Sequence, residues 1–374
     1  MSVRHWAMGL VNQIIGWITR PRNIGIALLS ISSAVLLSIA GGFSIKAQNI
    51  GGILQGIEFS TGGGLVGNLL TLVVYISAGT WFIGLALTLW TQFRDWKEAD
   101  TRRILVLEMR GLVDTSDKPL LKAIPRTLLG RRDDCLVDVR RYLAGPNPNV
   151  QEALKEVSHV QRQIRQARGD AARADVQVVA GGVMQVPLLF YAGTLLDDEG
   201  AVLLFDWERT RGDWRQLNDA DDGERFAVTG LDRLGNGKEV VLAVSASYLA
   251  SLDDIATTFP GMPLVRMERA NPQPNSLWSE EAQAALTQQF LQVLGKLANQ
   301  GVKVVHLVLA APATLALRFG KAYDHRNMPE LRCYQREQGE TPPYPWSIKM
   351  PAANEPVAYL RTKTSISNQS ERSI

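Results

Sequence analysis

Two long uncharged apolar stretches open the chain, and alternating strand and helix patterns fill the rest. From Asn23 to Ile45 the sequence NIGIALLSISSAVLLSIAGGFSI carries no charge. At about 1.5 Å per residue it reaches roughly the 30 Å of a bilayer's hydrocarbon core, which predicts a transmembrane helix. A second uncharged stretch, Leu65 to Gln92, holds LVVYISAGTWFIGLALTLW, with Trp90 near its end, where aromatic rings favour the membrane interface. Trp6, Leu10, Ile14, Trp17 and Ile18 recur at helical spacing ahead of the first span, so an amphipathic interfacial segment is expected over 1–22. A first span this long, preceded by about 22 residues and followed by a second span, argues against a signal peptide.

Beyond the spans the periodicity changes. RRILVLEMRGL from Arg102 and CLVDVRRYL from Cys135 read as strands, and Asn147 to Asp175 as a long helical stretch opened by Asn and Pro. VQVVAGG then predicts a strand, VMQVPLLFYAGTLL a helix with Pro187 near its start, and AVLLFDWER a strand. The second half repeats this grammar. KEVVLAVSAS, MPLVRMER, VKVVHLVLAAP and ELRCYQRE read as strands, and YLASLDDIATTF and ATLALRFGKAY as helices. SLWSEEAQAALTQQFLQVLGKLANQG reads as a helix with Ser279 as cap and Gly301 as stop. Strands alternating with helices imply parallel sheets covered by helices. The fold class expected is α/β, with two Rossmann-like lobes behind an α-helical two-span hairpin. The divisions expected are 1–22, the hairpin 23–92, a first lobe 93–235 ending in the glycine-rich turn GLDRLGNGKE, a second lobe 236–352, and a flexible tail 353–374 without periodicity.

Small residues stripe both spans: Ser30, Ala34, Ser38 and Gly42 on the first, Gly63, Gly67 and Thr71 at the start of the second. Such stripes let backbones approach closely in lipid, either within the hairpin or between chains. Charge sets the expected orientation. Residues 1–92 hold four of the 40 Lys and Arg and one of the 37 acids, leaving 36 of each in the remainder. Arg4, Arg20 and Arg22 precede the first span, Arg94, Lys97, Arg102 and Arg103 follow the second, and Lys46 alone lies between, so both termini are expected to be cytoplasmic. Two distant cysteines, Cys135 and Cys333, fit free thiols better than a disulfide framework. A neutral C-terminal part is poorly suited to long nucleic acid, whose binding rests on phosphate neutralisation. A small anion in a pocket remains compatible.

The chemistry-bearing templates fail. GxxxxGK[ST], HExxH, GxSxG and paired CxxC are all absent from the sequence. The four histidines, His5, His159, His306 and His325, show no ligand spacing, and His306 reads as a strand histidine of the core or edge. NDADDGER lacks the calcium-loop register and reads as a solvated turn. The strand ends are more informative. KVVHLVLAAPATLALRFG, Lys303 to Gly320, runs from a buried strand through small residues and a proline into a helix, and such helix N-termini at the carboxyl ends of strands attract anionic ligands.

VVHLVLAAPATLALRFGKAYDHRNMPELRCYQRE resembles the closing strand-helix-strand of SAVED domains, and VVAGGVMQVPLLFYAGTLLDDEGAVLLFDWERTRGDW is similar to their earlier segment. The resemblance covers roughly 104–351. It implies two fused CARF-like lobes that sense cyclic oligonucleotides made by cGAS-like nucleotidyltransferases in bacterial CBASS antiphage defence. With a membrane hairpin in the effector position, it implies a transmembrane SAVED effector of the inner membrane. Such a protein would bind a cyclic trinucleotide, self-associate and disrupt the bilayer, without catalysis or cofactor. A membrane-tethered phosphodiesterase and a passive nucleotide-responsive scaffold are the alternatives, and no acid-base pair is legible near the strand ends for the former. The strand-end rule together with the resemblance nominates Arg110, Gly181, Gly182, Gln185, Ser245, Ser247, Arg269, Ala311 and Thr314 as ligand contacts.

Overall fold

The computed structural model describes residues 24–40, 65–145, 148–235, 237–352 and 357–362. The chain divides into two compact units, Met1–Asp100 and Thr101–Ile374. The expected interfacial segment 1–22 lies outside the described residues.

In the first unit, helix α1 (Ile24–Ala40) and helix α2 (Leu65–Thr101) are the described elements. Of α2, Thr71–Arg94 is apolar and long enough to cross a membrane by its 24 residues, whereas the apolar part of α1, Ile24–Leu37, is shorter. The two helices pack through glycine. A Cβ on Gly84 would lie 2.9 Å from Gly25 O and 3.0 Å from Leu29 N, and one on Gly25 would strike Thr88 Oγ1. Trp81 Nε1 donates to Ser33 Oγ at 3.1 Å across the same seam. Ser30 and Ala34 are exposed on another face of α1, so these two residues do not form the hairpin contact. Ser38 and Gly67 lie within the helices with their surroundings undescribed, and Gly42 and Gly63 fall outside the described residues.

The second unit holds two sheets. Strands β1 (Arg103–Arg110), β2 (Arg131–Asp138), β3 (Val176–Val183), β4 (Val202–Glu208) and β5 (Asp213–Gln216) form the first, in the order β2-β1-β3-β4-β5, parallel except for β5. The second runs β12-β11-β10-β9-β7-β8-β6, from β6 (Ala227–Thr229), β7 (Glu239–Ser245), β8 (Leu264–Glu268), β9 (Val304–Ala310), β10 (Glu330–Gln335), β11 (Trp346–Lys349) and β12 (Tyr359–Thr362). Its four central strands are parallel, and β6, β11 and β12 pair antiparallel. Parallel strands buried on both faces account for the apolar runs Ile104–Leu107 of β1 and Val240–Val244 of β7.

Several sequence expectations are corrected here. β6 pairs with β8 of the second sheet, so the lobes change over between Gln216 and Ala227 and not at 235. Residues 359–362, expected in a flexible tail, form edge strand β12. The expected strand from Cys135 ends at Asp138, and Arg140–Leu143 is a helical turn, α3. The long helix expected before Asp175 breaks at His159 into α4 (Val150–Ser158) and α5 (Val160–Arg168).

Two short helices join the lobes. Helix α6 (Val186–Thr194) follows β3, and helix α7 (Ala313–Ala322) follows β9. Each contributes a glycine to their contact. A Cβ on Gly193 would strike Leu317 O and lie 3.0 Å from Gly320 Cα, while one on Gly320 would strike Phe190 O and lie 2.8 Å from Phe190 C. Helix α8 (Glu280–Asn299) lies against this pair. Ser279 Oγ caps it by accepting from Ala282 N at 3.2 Å, and Glu280 and Glu281 complement the dipole of its first turn. Its buried Leu286, Phe290, Val293 and Leu297 recur at helical spacing, each worth about 1.5–3 kcal/mol of burial. Phe290 stacks on Phe319 with ring centroids 4.2 Å apart, and Phe190 meets Phe290 edge-on. One continuous core therefore runs through both lobes.

Candidate functional site

The lobes repeat one another residue by residue. In the first sheet Arg110 pairs with Val183; in the second Ser245 pairs with Ala310. Past the strand ends, the N–H groups of Gly111 and Leu112 both donate to Val183 O, as those of Ala246 and Ser247 both donate to Ala310 O. Gly181 pairs with Phe205 and Val308 with Tyr334, so Asp206 and Gln335 occupy equivalent places. The carboxyl ends of both sheets, with the starts of α6 and α7, converge on one cleft with a cavity of about 150 Å³.

The cleft combines aromatic walls with few polar groups. Equivalent positions from the two lobes face it: Leu112 and Ser247, Met184 and Ala311, Gln185 and Pro312, Asp206 and Gln335. Trp207, Tyr248 and Trp278 supply rings, and exposed Arg209 supplies positive charge. Trp278 is held by its Nε1 donating to Asn275 O at 2.7 Å and by the Arg215 guanidinium 4.6 Å above its ring. Asn275, with φ at +57°, turns the loop that forms this wall.

Asp206 crosses between lobes. Its Oδ1 accepts from Trp207 N at 2.8 Å and its Oδ2 from Thr314 Oγ1 at 3.0 Å. Burial pushes its carboxyl above the usual carboxylate range, against these hydrogen bonds, one from Thr314 N–H, and the Arg209 charge. The group that engages the start of α7 is thus a side chain of the protein itself. Thr314 also accepts from Gln283 Nε2 at 2.9 Å.

Two polar atoms at the cleft are buried without a partner: Gln185 Oε1 and Ser247 Oγ, on residues 9% and 4% exposed. Buried polar atoms are nearly always hydrogen-bonded, so this pair of orphans leaves hydrogen-bonding capacity unused in one cleft.

Of the residues nominated from sequence, Gly182, Gln185, Ser247 and Ala311 line this cleft, and five do not. Arg110 donates to buried Glu108 Oε1 at 2.7 Å and to Ser116 Oγ at 2.9 Å, neutralising a carboxylate that also accepts from Thr115 Oγ1 and Leu120 N. Gly181 faces the other side of its sheet, where a Cβ would lie 2.8 Å from Phe205 O and 2.9 Å from the Trp214 ring. Ser245 Oγ accepts from Ala250 N at 3.1 Å and closes a loop. Arg269 pairs with Asp222 at 2.8 Å, with Glu224, and with Ser276 Oγ at 3.0 Å. Thr314 lies beneath Asp206. The rule for strand ends names residues at and around this cleft; it could not say which face each side chain takes. It also missed Asp206, Trp207 and Arg209, which lie at the end of β4 and just past it in the stretch DWER, and Pro274–Trp278, which lie farther along the loop that leaves β8.

Residues 160–350 match the SMODS-associated and fused to various effectors sensor domain, SAVED. The chain belongs to the SAVED family. Residues 4–154 match the SAVED-fused 2TM effector domain, which makes this a SAVED sensor joined to a two-transmembrane effector associated with the membrane. No curated protein matches the chain in sequence. Among solved structures it is similar to the Acinetobacter baumannii Cap4 SAVED/CARF-domain containing receptor with the cyclic trinucleotide 2'3'3'-cAAA, at 12% identity and a TM-score of 0.45, over 76% of this chain and 60% of that one. The Moraxella osloensis Cap4 SAVED/CARF-domain containing receptor is similar at 13% identity and a TM-score of 0.42, over 76% of this chain and 59% of that one. The SAVED chain here therefore spans about three-fifths of those receptors' length.

Proposed function

We propose that this SAVED protein binds a cyclic oligonucleotide, made as a second messenger in CBASS antiphage defence, in the cleft between its lobes, and that occupancy drives the hairpin to disrupt the inner membrane. The pair of buried orphan atoms, Gln185 Oε1 and Ser247 Oγ, among three aromatic rings carries the reading. Aromatic faces stack nucleobases, and exposed Arg209 suits a phosphate. The Cap4 receptor solved with a cyclic trinucleotide supports the ligand class by its name.

The match to a sensor domain favours a sensor role over a phosphodiesterase, and among the described residues that line the cleft no acid-base pair converges. A ligand that binds better to one arrangement of chains shifts the population toward it by its differential affinity. Spans tethered to such assemblies are concentrated in the bilayer plane, where exposed Ser30 and Ala34 are available for contact between chains. Basic Arg94 and Lys97 at the end of α2 and Arg102 and Arg103 after it support cytoplasmic lobes.

The test is titration of the full chain in detergent with a panel of cyclic di- and trinucleotides, followed by dye release from liposomes carrying the protein. One ring binds, and Gln185→Ala and Ser247→Ala each weaken it roughly 5- to 12-fold, the equivalent of one lost hydrogen bond. Failure of every ring to bind overturns the sensor reading. Binding without dye release retains the sensor and overturns the membrane output.

A further inference from the structure

The cleft is better built to read a base than to hold a phosphate. The start of α7, where unpaired N–H groups would attract an anion, already carries the Asp206 carboxylate. A phosphate brought to that point would find those donors already engaged by Asp206. The orphan atom Gln185 Oε1 is an acceptor, and Asp206 has hydrogen-bond donors aimed at both its oxygens, which casts both as acceptors. Each carboxyl oxygen carries two lone pairs, more than the hydrogen bonds from Trp207 N–H, Thr314 Oγ1 and Thr314 N–H occupy, so Asp206 retains acceptor capacity toward the cleft that it lines.

Size points the same way. Pockets that enclose a whole drug-sized molecule run to roughly 300–1,000 Å³, well above the 150 Å³ here. A cavity of about 150 Å³ takes one aromatic ring. One base of a cyclic nucleotide can enter while the sugar-phosphate ring stays at the mouth, beside exposed Arg209 and Tyr248.

The lobes are equivalent in backbone and different in chemistry at this point. Gln185 stands opposite Pro312, and Asp206 opposite Gln335. Both acceptors that matter belong to the first lobe, so a base is held in one orientation on an otherwise two-fold frame.

We propose that Asp206 and Gln185 are specificity-determining residues that select an amino-bearing nucleobase through its N–H donors, leaving the phosphates at the cleft mouth. The inference rests on the reading of the cleft as a cyclic-nucleotide site. It excludes a ring read chiefly through its phosphates, and it disfavours uracil, which has no exocyclic amine.

The experiment measures affinities of the full chain in detergent for matched rings. Cyclic di- and trinucleotides of adenine are compared with the same rings bearing unsubstituted purine, and guanine rings with hypoxanthine rings; a uracil ring completes the set. Wild type prefers the amino-bearing member of at least one matched pair by roughly 5- to 150-fold, the discrimination of one well-made base contact. Asp206→Asn or Gln185→Leu brings that ratio to near one. The ratio, not the affinity, is the readout, because a variant that merely loosens the cleft weakens both members equally. Equal affinity of wild type for both members, a preference for the uracil ring, or a ratio that survives both substitutions overturns base reading while the sensor function stands. If no ring binds, the sensor reading falls and this inference falls with it.

Discussion

Replacing Gly320 with alanine tests whether the two lobes are held by backbone-to-backbone contact of α6 and α7. The new Cβ would overlap Phe190 O and lie 2.8 Å from Phe190 C and 3.1 Å from Gly193 Cα. All three are backbone atoms, so no side chain can rotate aside and the helices must separate. Overpacking of this kind costs about 1–3 kcal/mol and occasionally more, against a gain of up to about 1 kcal/mol from replacing a helical glycine. The net loss expected is about 2 kcal/mol, or a fall in Tm of roughly 4–8 °C for a unit of this size. Thermal unfolding followed by circular dichroism measures it, with Gly295→Ala as control. Gly295 lies in α8 with nothing within 4 Å of an added Cβ, so that variant gains up to about 1 kcal/mol. A rise in Tm for Gly320→Ala comparable to the control would refute the packing argument.

Arg110→Ala leaves buried Glu108 without its charged partner and should cost about 3 kcal/mol or more in a denaturant titration; an unchanged midpoint with lost nucleotide binding would return Arg110 to the ligand site. His306, bonded to Tyr334 and Glu239 at 2.9 Å each, has its pKa pushed below 6.5 by burial and by the Arg332 charge, against the pull of Glu239. The unfolded chain then binds the proton more readily. This contribution is fully present above about pH 6.5 and is lost as pH falls toward the folded value, by at most about 1.4 kcal/mol per pH unit. His306→Gln flattens that part of a Tm-against-pH profile, and two parallel profiles would contradict the assignment. Gly84→Leu in α2 must push α1 away, since a Cβ there already lies 2.9 Å from Gly25 O; Trp81 emission, sensitive to its bond with Ser33, should shift, and an unaltered spectrum would count against the helix contact.

Much of the fold was legible because it rests on local periodicity. The runs VVLAVS and VVHLVLA announce strands buried on both faces, and Ser279 and Gly301 bracket α8 as cap and stop. The short antiparallel strands that flank the second sheet were not legible. β11 and β12 are four residues each and β6 is three, too short for alternation to show, and they exist because a neighbouring strand offers unpaired backbone groups. The repeated strand, proline and helix with Phe and Gly was visible in sequence, but its purpose was not: Gly193 and Gly320 meet each other only once both lobes are assembled.

The candidate site divides in the same way. Sequence located the strand ends and named Gln185 and Ser247, because a strand that gives way to a helix start leaves its last residues at a ligand-facing edge. It also suggested an anionic guest for the helix after Pro312, and there long-range packing decided otherwise. Asp206, 108 positions from Thr314 in sequence, fills that position from the other lobe. Whether a polar group is free for a ligand depends on every neighbour the fold brings to it. Arg110 and Arg269 were spent on buried carboxylate and loop contacts, while Gln185 and Ser247 were left open. Periodicity is a property of neighbours along the chain and so is written in the sequence; hydrogen-bond satisfaction belongs to neighbours in space, and only the tertiary structure assigns them.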